Sequence, residues 1–131
     1  MHKLVVDGAC LGNPGISAAG MLIINQKSEE IFKGSMFLGE GTNNTAEYRA
    51  VLEGLKAALR VGISNIEVYS DSQLVIRQLN GQYKVKSGKL KDLNMETREV
   101  AKKFNSVKFY FSNRTKTTAA HNLAEGILKT K

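Results

Sequence analysis

The hydrophobic pattern changes period along the chain. Leu4 and Val6 alternate with Val5 from Lys3 to Asp7, which predicts a strand. A glycine-rich turn follows from Gly8 to Gly15 and holds the only proline, Pro14. Gly20 to Asn25 reads as a second strand, Ser28-Glu29-Glu30 as a turn, and Ile31 to Leu38 as a third strand. Three short strands with tight turns make an antiparallel meander. After a loop from Gly39 to Asn44 the period becomes helical. Ala46, Ala50, Val51, Leu55, Ala58 and Leu59 recur at spacings of three and four. That helix starts near Thr45, capped by Asn44 or Thr45, and stops at Gly62.

Ile66 to Tyr69 is a fourth strand ended by Ser70-Asp71, and Ser72 to Leu79 a second helix closed by Asn80-Gly81. A lysine-bearing segment runs from Gln82 to Lys91 around a Ser87-Gly88 turn, and a helix from about Leu90 to Phe104 follows. Val107, Phe109 and Phe111 alternate as a fifth strand. Ser112 to Thr118 reads as a polar loop, and a last helix begins at about Ala119, burying Ala120, Leu123, Ala124, Ile127 and Leu128. A meander followed by alternating helices and strands predicts an α/β fold, with a five-stranded mixed sheet carrying helices on both faces. The fourth strand, reached through a helix, lies parallel to the first by a right-handed crossover.

The 131 residues suit one domain spanning 1–131, and the 42% hydrophobic content excludes intrinsic disorder. No apolar run nears the roughly 18 residues of a membrane span. The apolar stretch that ends at Asp7 is too short for a signal peptide, so a cytoplasmic address is expected. Cys10 is the only cysteine, which excludes internal disulfides and cysteine-built zinc sites. Residues 1–65 hold six Lys/Arg and six Asp/Glu, so the whole net charge of +7 lies in residues 66–131. A basic half on a small domain points to nucleic acid or another anionic surface.

Of twelve carboxylates only three are Asp, and Asp7 and Asp71 both end predicted strands. If those strands are parallel neighbours, both side chains emerge at one sheet edge, where open α/β sheets build their sites. Glu47, in the first turn of the first helix, joins them. Three acids without a basic neighbour in sequence call for hard cations such as Mg²⁺ or Mn²⁺. Each also has a purely structural reading: Asp7 capping the glycine-rich turn, Glu47 favouring the helix dipole, Asp71 an N-cap.

The surrounding motifs decide between these readings. Asp7-Gly8-Ala9 with Gly12-Asn13-Pro14-Gly15, Thr42-Asn43-Asn44-Thr45-Ala46-Glu47, and Tyr69-Ser70-Asp71-Ser72-Gln73 resemble those of type 1 ribonuclease H, the ribonuclease HI family. Asn80 to Lys86, and Arg114 through Ala120-His121-Asn122-Leu123-Ala124, extend the likeness in order over nearly the whole chain. The resemblance implies metal-dependent endonucleolytic cleavage of the RNA strand of RNA/DNA hybrids. That cleavage is without sequence preference, leaves 5′-phosphate and 3′-hydroxyl, and uses two divalent ions, Mg²⁺ or Mn²⁺. It assigns Asp7 as the bridging ligand of both ions. Glu47 holds one ion near the RNA, and Asp71 holds the one that activates water.

By the same resemblance the backbone near Cys10 and Asn13 meets RNA 2′-hydroxyls. Asn43, Asn44 and Gln73 reach the minor groove, and Thr42 a DNA phosphate. Lys84, Lys86, Lys89 and Lys91 neutralise phosphates or line a solvated loop, and Arg114 belongs to the contacting set. Tyr83 either stacks or packs. The expected partner is the hybrid, met by a monomer.

The likeness breaks in and just before the last helix. The family's fourth carboxylate, an Asp seven residues beyond the Arg, is His121 here. The family's intervening Asn is Thr117, and residues 112–118 lack the His that many members carry. His121 would ligate through a neutral imidazole and favour Mn²⁺. Otherwise water replaces the lost ligand, or the second ion binds too weakly and a catalytically weak or inactive hybrid-binding paralogue remains. A helix-surface residue without a role is the fourth reading. Glu125, one turn further on, would substitute only with a shift of helix register.

Overall fold

The structure is a computed structural model that describes residues 1–130. Its elements are β1 (His2–Gly12), β2 (Gly15–Ile24), β3 (Glu30–Gly41), α1 (Asn43–Arg60), β4 (Asn65–Ser70), α2 (Gln73–Leu79), α3 (Gly88–Ala101), β5 (Ser106–Phe111) and α4 (Arg114–Lys129). The five strands form one sheet in the order β3-β2-β1-β4-β5. The β1–β2 and β2–β3 pairs are antiparallel, and β1–β4 and β4–β5 are parallel. This is the expected mixed sheet, with β4 parallel to β1 after the α1 crossover.

Strand alternation divides the two faces of β1. Leu4 and Val6 face α1, where they meet the backbone at Gly54. They belong to the main core with Tyr48, Val51, Leu55, Ile66 and Val68. Ala9 faces the other way and clusters with Ala18, Ala124 and Leu128 of α4. Between the helices of the first face runs a buried polar chain. Tyr48 donates to Gln78 Oε1 at 2.7 Å, and Asn94 Nδ2 donates to Tyr48 at 3.1 Å. Arg98 Nε donates to Asn94 at 2.8 Å, and Gln78 Nε2 to the Lys84 carbonyl at 3.2 Å. The last of these fixes the lysine segment to the core.

Several boundaries differ from the pattern-based expectation. β1 does not end at Asp7 but runs five residues further, because β2 starts at Gly15 and pairs with every residue from Lys3 to Gly12. The glycine-rich stretch is therefore mostly hairpin ladder, and only Asn13-Pro14 lies outside the strands. β3 continues to Gly41, and α1 starts at Asn43 because Thr42 is the cap. Thr42 and Thr45 form a reciprocal capping box, with Thr45 N–H on Thr42 Oγ1 at 3.1 Å and Thr42 N–H on Thr45 Oγ1 at 2.8 Å. α3 starts at Gly88 behind its Ser87 cap and ends at Ala101, although Phe104 beyond it is still buried. The largest correction is α4, which starts at Arg114 rather than Ala119. Asn113 caps it by accepting from the Lys116 N–H, so most of the polar stretch is helix.

Two glycines set how closely the helices approach Asp7. A Cβ on Gly8 would overlap the Ala46 carbonyl and lie 2.6 Å from Glu47 N. A Cβ on Gly20, the cross-strand partner of Asp7, would overlap the Ala120 carbonyl and lie 2.9 Å from Ala124 N. Gly20→Ala is therefore expected to lose at least about 1–3 kcal/mol of unfolding free energy through overpacking. Gly126→Ala, also in α4 but facing open space, should instead gain up to about 1 kcal/mol. Urea denaturation of both variants beside wild type checks the contrast.

Candidate active site

Asp7 sits inside β1 rather than at its end, on the α4 face, and is fully buried. Asp71 follows the last residue of the neighbouring parallel strand β4. Glu47 is the fifth residue of α1, and its Oε1 accepts the Gly8 N–H at 2.5 Å across the close approach that Gly8 permits. One carboxylate oxygen from each of the three lies within 4.8 Å of the others, and among the described residues this is the only such acidic group. The expected convergence of Asp7, Glu47 and Asp71 is thus present.

α4 completes the site from the opposite face. His121 Nδ1 lies 2.6 Å from Asp7 Oδ2. Arg114 Nε donates to Asp71 Oδ2 at 2.6 Å, its Nη1 lies 3.0 Å from His121 Nδ1, and its Nη2 lies 4.0 Å from Asp7 Oδ1. Thr117 Oγ1 donates to Asp71 Oδ2 at 3.4 Å, a long contact. Arg114, expected among the nucleic-acid contacts, and Thr117, to which the sequence assigns no task, both touch Asp71. The spacing 114, 117, 121 is a helical stripe, but it is visible as one only when the helix begins at Arg114.

The site is short of positive charge despite Arg114. Burial pushes the Asp7 carboxyl up to about 6, against the hydrogen bond from His121. Burial, then the charge of Asp7, pushes Glu47 up to about 9. Burial also raises Asp71, but the Arg114 hydrogen bond and charge outweigh it and hold Asp71 below the usual carboxylate range. Asp7 Oδ1 is buried without a hydrogen-bond partner. A buried carboxylate oxygen without a hydrogen-bond partner, in a cluster of hard oxygen donors, suits a hard divalent cation, so these residues fit one.

Asn13 Oδ1 accepts the Asn43 N–H at 3.0 Å, and Asn13, Thr42, Asn43, Asn44, Ser87 and Lys89 line a groove of about 470 Å³. Lys84 and Lys86 line a second groove of about 530 Å³ with Gln82, Tyr83 and Ser87. Gln73 is exposed at the start of α2. Cys10 is half-buried, its thiol directed at the carbonyls of Gly15 and Gly41. Tyr83 lies under the Arg77 guanidinium at 5.3 Å, which places it as a stacking partner within the protein. No described helix is long and apolar enough to cross a membrane.

Residues 5–126 match the reverse transcriptase-like family. The chain is similar to the crystal structure of RNase H1 from the halophilic archaeon Halobacterium salinarum NRC-1, with a TM-score of 0.97 and 32% identity over 99% of this chain and 98% of that one. It is similar to LC11-RNase H1, solved in complex with an RNA/DNA hybrid, with a TM-score of 0.93 and 30% identity over 99% of both chains. Among curated proteins, the Halobacterium salinarum ribonuclease HI is 37% identical over 94 residues, 72% of this chain and 47% of that protein. The bifunctional protein Rv2228c of Mycobacterium tuberculosis is 33% identical over 125 residues, 93% of this chain. The chain spans between a third and a half of the length of these two curated relatives. Family match, sheet order and carboxylate placement agree: this chain belongs to the type 1 ribonuclease H group of the reverse transcriptase-like family.

Proposed function

We propose that the chain is a ribonuclease H that hydrolyses the RNA strand of RNA/DNA hybrids, using two divalent cations held at Asp7, Glu47, Asp71 and His121. The observation that carries this reading is the buried, unpartnered Asp7 Oδ1 inside a convergent set of three carboxylates. Its support from similar proteins is a ribonuclease H1 solved with a hybrid. We extend the reading to a monomer of one domain, acting in the cytoplasm without sequence preference and leaving 5′-phosphate and 3′-hydroxyl ends.

Divalent ions supply activation of a water and stabilisation of the leaving oxygen in phosphodiester hydrolysis. The protein's part is to hold and orient. Asp7 is fixed in a central strand and fully buried, with Oδ2 against His121 and Oδ1 without a hydrogen-bond partner. Glu47 is aimed by the Gly8 N–H, and Asp71 by Arg114 and Thr117. Asn13, Thr42, Asn43 and Asn44 line the adjacent groove with groups that donate and accept, suited to sugars and phosphates rather than one base sequence. Lys84, Lys86 and Lys89 add phosphate neutralisation, so hybrid affinity falls with salt. A second reading, a hybrid-binding paralogue with little catalysis, is favoured by one observation: an imidazole, that of His121, stands beside Asp7 with the Arg114 guanidinium 3.0 Å from its Nδ1.

Cleavage of a labelled hybrid in Mg²⁺ and in Mn²⁺ separates the two. RNA-strand cleavage that Asp7→Asn abolishes is expected, with hybrid binding retained by the variant. Binding without cleavage in either metal favours the paralogue. His121→Asp should raise Mg²⁺-dependent cleavage by about tenfold or more, since it restores a charged oxygen ligand.

The raised carboxyls also predict a pH dependence. Asp7 and Glu47 titrate higher in the folded chain than their ordinary 3.8 and 4.5. The folded state thus keeps protons that the unfolded chain has lost, and metal-free stability falls as pH rises from about 4 through about 6 and on towards 9. Asp71 has the opposite sign, and its contribution is lost only on acidification. Thermal unfolding across this range in chelator should show the decline. Mn²⁺ should reverse it, and Glu47→Gln should flatten it.

A further inference from the structure

The sheet face that carries Asp7 is roofed only in part. α4 lies across β1, β2 and β3, while α1 and α2 meet β4 and β5 from the opposite face. Strand alternation puts Lys3 and Val5 on the side of Asp7. The parallel register continues that side across the open strands. Lys3, Glu67 and Lys108 form one row, and Val5, Tyr69 and Tyr110 the next. Asp7 lies two residues beyond Val5, and Asp71 two beyond Tyr69. The tyrosine row is thus one two-residue step, about 7 Å along the strands, from the carboxylates.

The Tyr69 and Tyr110 rings stack, with centroids 5.4 Å apart and planes at 27°. Lys3 Nζ lies over the Tyr69 ring at 5.9 Å. The Tyr69 hydroxyl donates to Glu67 Oε1 at 3.2 Å, which engages the acid of the neighbouring row. Lys3 and Lys108 are exposed, and Tyr110 is 38% exposed. β5 is the sheet edge, so the stack ends in a ring with no further strand beside it.

We propose that the Tyr69–Tyr110 stack holds an unpaired nucleic-acid strand that continues from the carboxylate cluster, with a base on the free side of Tyr110 and a phosphate at Lys108. The proposal deepens the hybrid-cleaving reading above, because it names where a single-stranded continuation of the substrate goes. Every base has a π-face, so an exposed stacked ring accepts one without selecting sequence. Two lysines against one engaged acid suit a polyanion. A second copy of the chain fits the edge less well, because an exposed lysine inside an edge strand works against strand pairing.

Fluorescence anisotropy in chelator, where no cleavage intervenes, tests this on the full chain. The probes are a blunt RNA/DNA hybrid and the same hybrid with about six unpaired RNA or DNA nucleotides at either end. An extension at one end should tighten binding about tenfold over the blunt hybrid. Tyr110→Ala should remove that gain, and Tyr110→Trp should keep it. Lys108→Ala should lower the salt slope by about one for the extended hybrid alone. Blunt-hybrid affinity, expected unchanged in all three variants, shows that they are folded. A 4-thiouridine in the extension should cross-link to the peptide holding Tyr69 or Tyr110. Equal gains for RNA and DNA extensions assign the stack to any unpaired strand, and a gain for RNA alone assigns it to the cleaved strand. Equal affinity for blunt and extended hybrids overturns the proposal, as does a gain that survives Tyr110→Ala. A dimer in sedimentation that Tyr110→Ala dissolves gives the face to a second copy and also overturns it. The underlying reading fails separately: a blunt hybrid left unbound refutes it, while Tyr110-dependent binding of the single strand would still uphold the stack.

Discussion

The close approach of two helices to the two sides of one aspartate is what the site depends on. Asp7 lies in a central strand, so its carboxylate is buried whatever else happens. What makes it chemically useful is that backbone, not side chain, flanks it. At Gly8 the first turn of α1 comes down until its backbone touches β1, and Glu47 arrives with it. At Gly20, directly across the ladder from Asp7, α4 comes down in the same way, and His121 arrives with Ala120. A methyl group at either glycine would push away the helix that carries a site residue. The sheet therefore does more than carry the carboxylates. It sets the depth at which both helices seat and so the distances among all four groups.

That geometry is electrostatically expensive, and the surrounding residues show how the cost is met. Three carboxylates converge where water is scarce, and two of them respond by holding protons well above their ordinary range. Arg114 compensates only Asp71 fully, through a 2.6 Å hydrogen bond, and stands 4.0 Å from the orphaned Asp7 oxygen. Incomplete compensation is the useful state. A guanidinium that satisfied every oxygen would leave nothing for a cation, and the absence of one would leave the cluster fully repulsive. Three of the basic residues behind the net charge of +7, Lys84, Lys86 and Lys89, are exposed and line grooves that contain none of the three carboxylates.

The fold was legible because its signals are local and periodic. Strand alternation, the 3.6-residue stripe of α1 and the parallel return of β4 all appear in the structure. The three carboxylates were legible because each stands inside a short motif. What was hidden depended on caps and on distant partners. Thr42 competes with Asn44 and Thr45 as a cap, and only the reciprocal bond with Thr45 decides the start of α1. The segment before Ala119 looked like a loop because Asn113, Arg114, Lys116, Thr117 and Thr118 are all polar. One face of that turn packs towards Asp71 and the other faces solvent, so a polar helix is the consistent solution. Glycine-rich residues 8–12 looked like a turn for a related reason. Their strand character comes from pairing with β2, a long-range partner that a local reading does not supply.

Setting the start of α4 changes the meaning of the departure at position 121. With the helix beginning at Ala119, His121 is an isolated substitution near a frayed end, and Arg114 is a loop cation. With the helix beginning at Arg114, the same residues form one ordered stripe. A guanidinium is on Asp71, a hydroxyl backs it, an imidazole is on Asp7, and a carboxylate stands behind the imidazole. Position 121 thus belongs to a helix face that meets both Asp7 and Asp71, and its imidazole meets the fully buried one of the two.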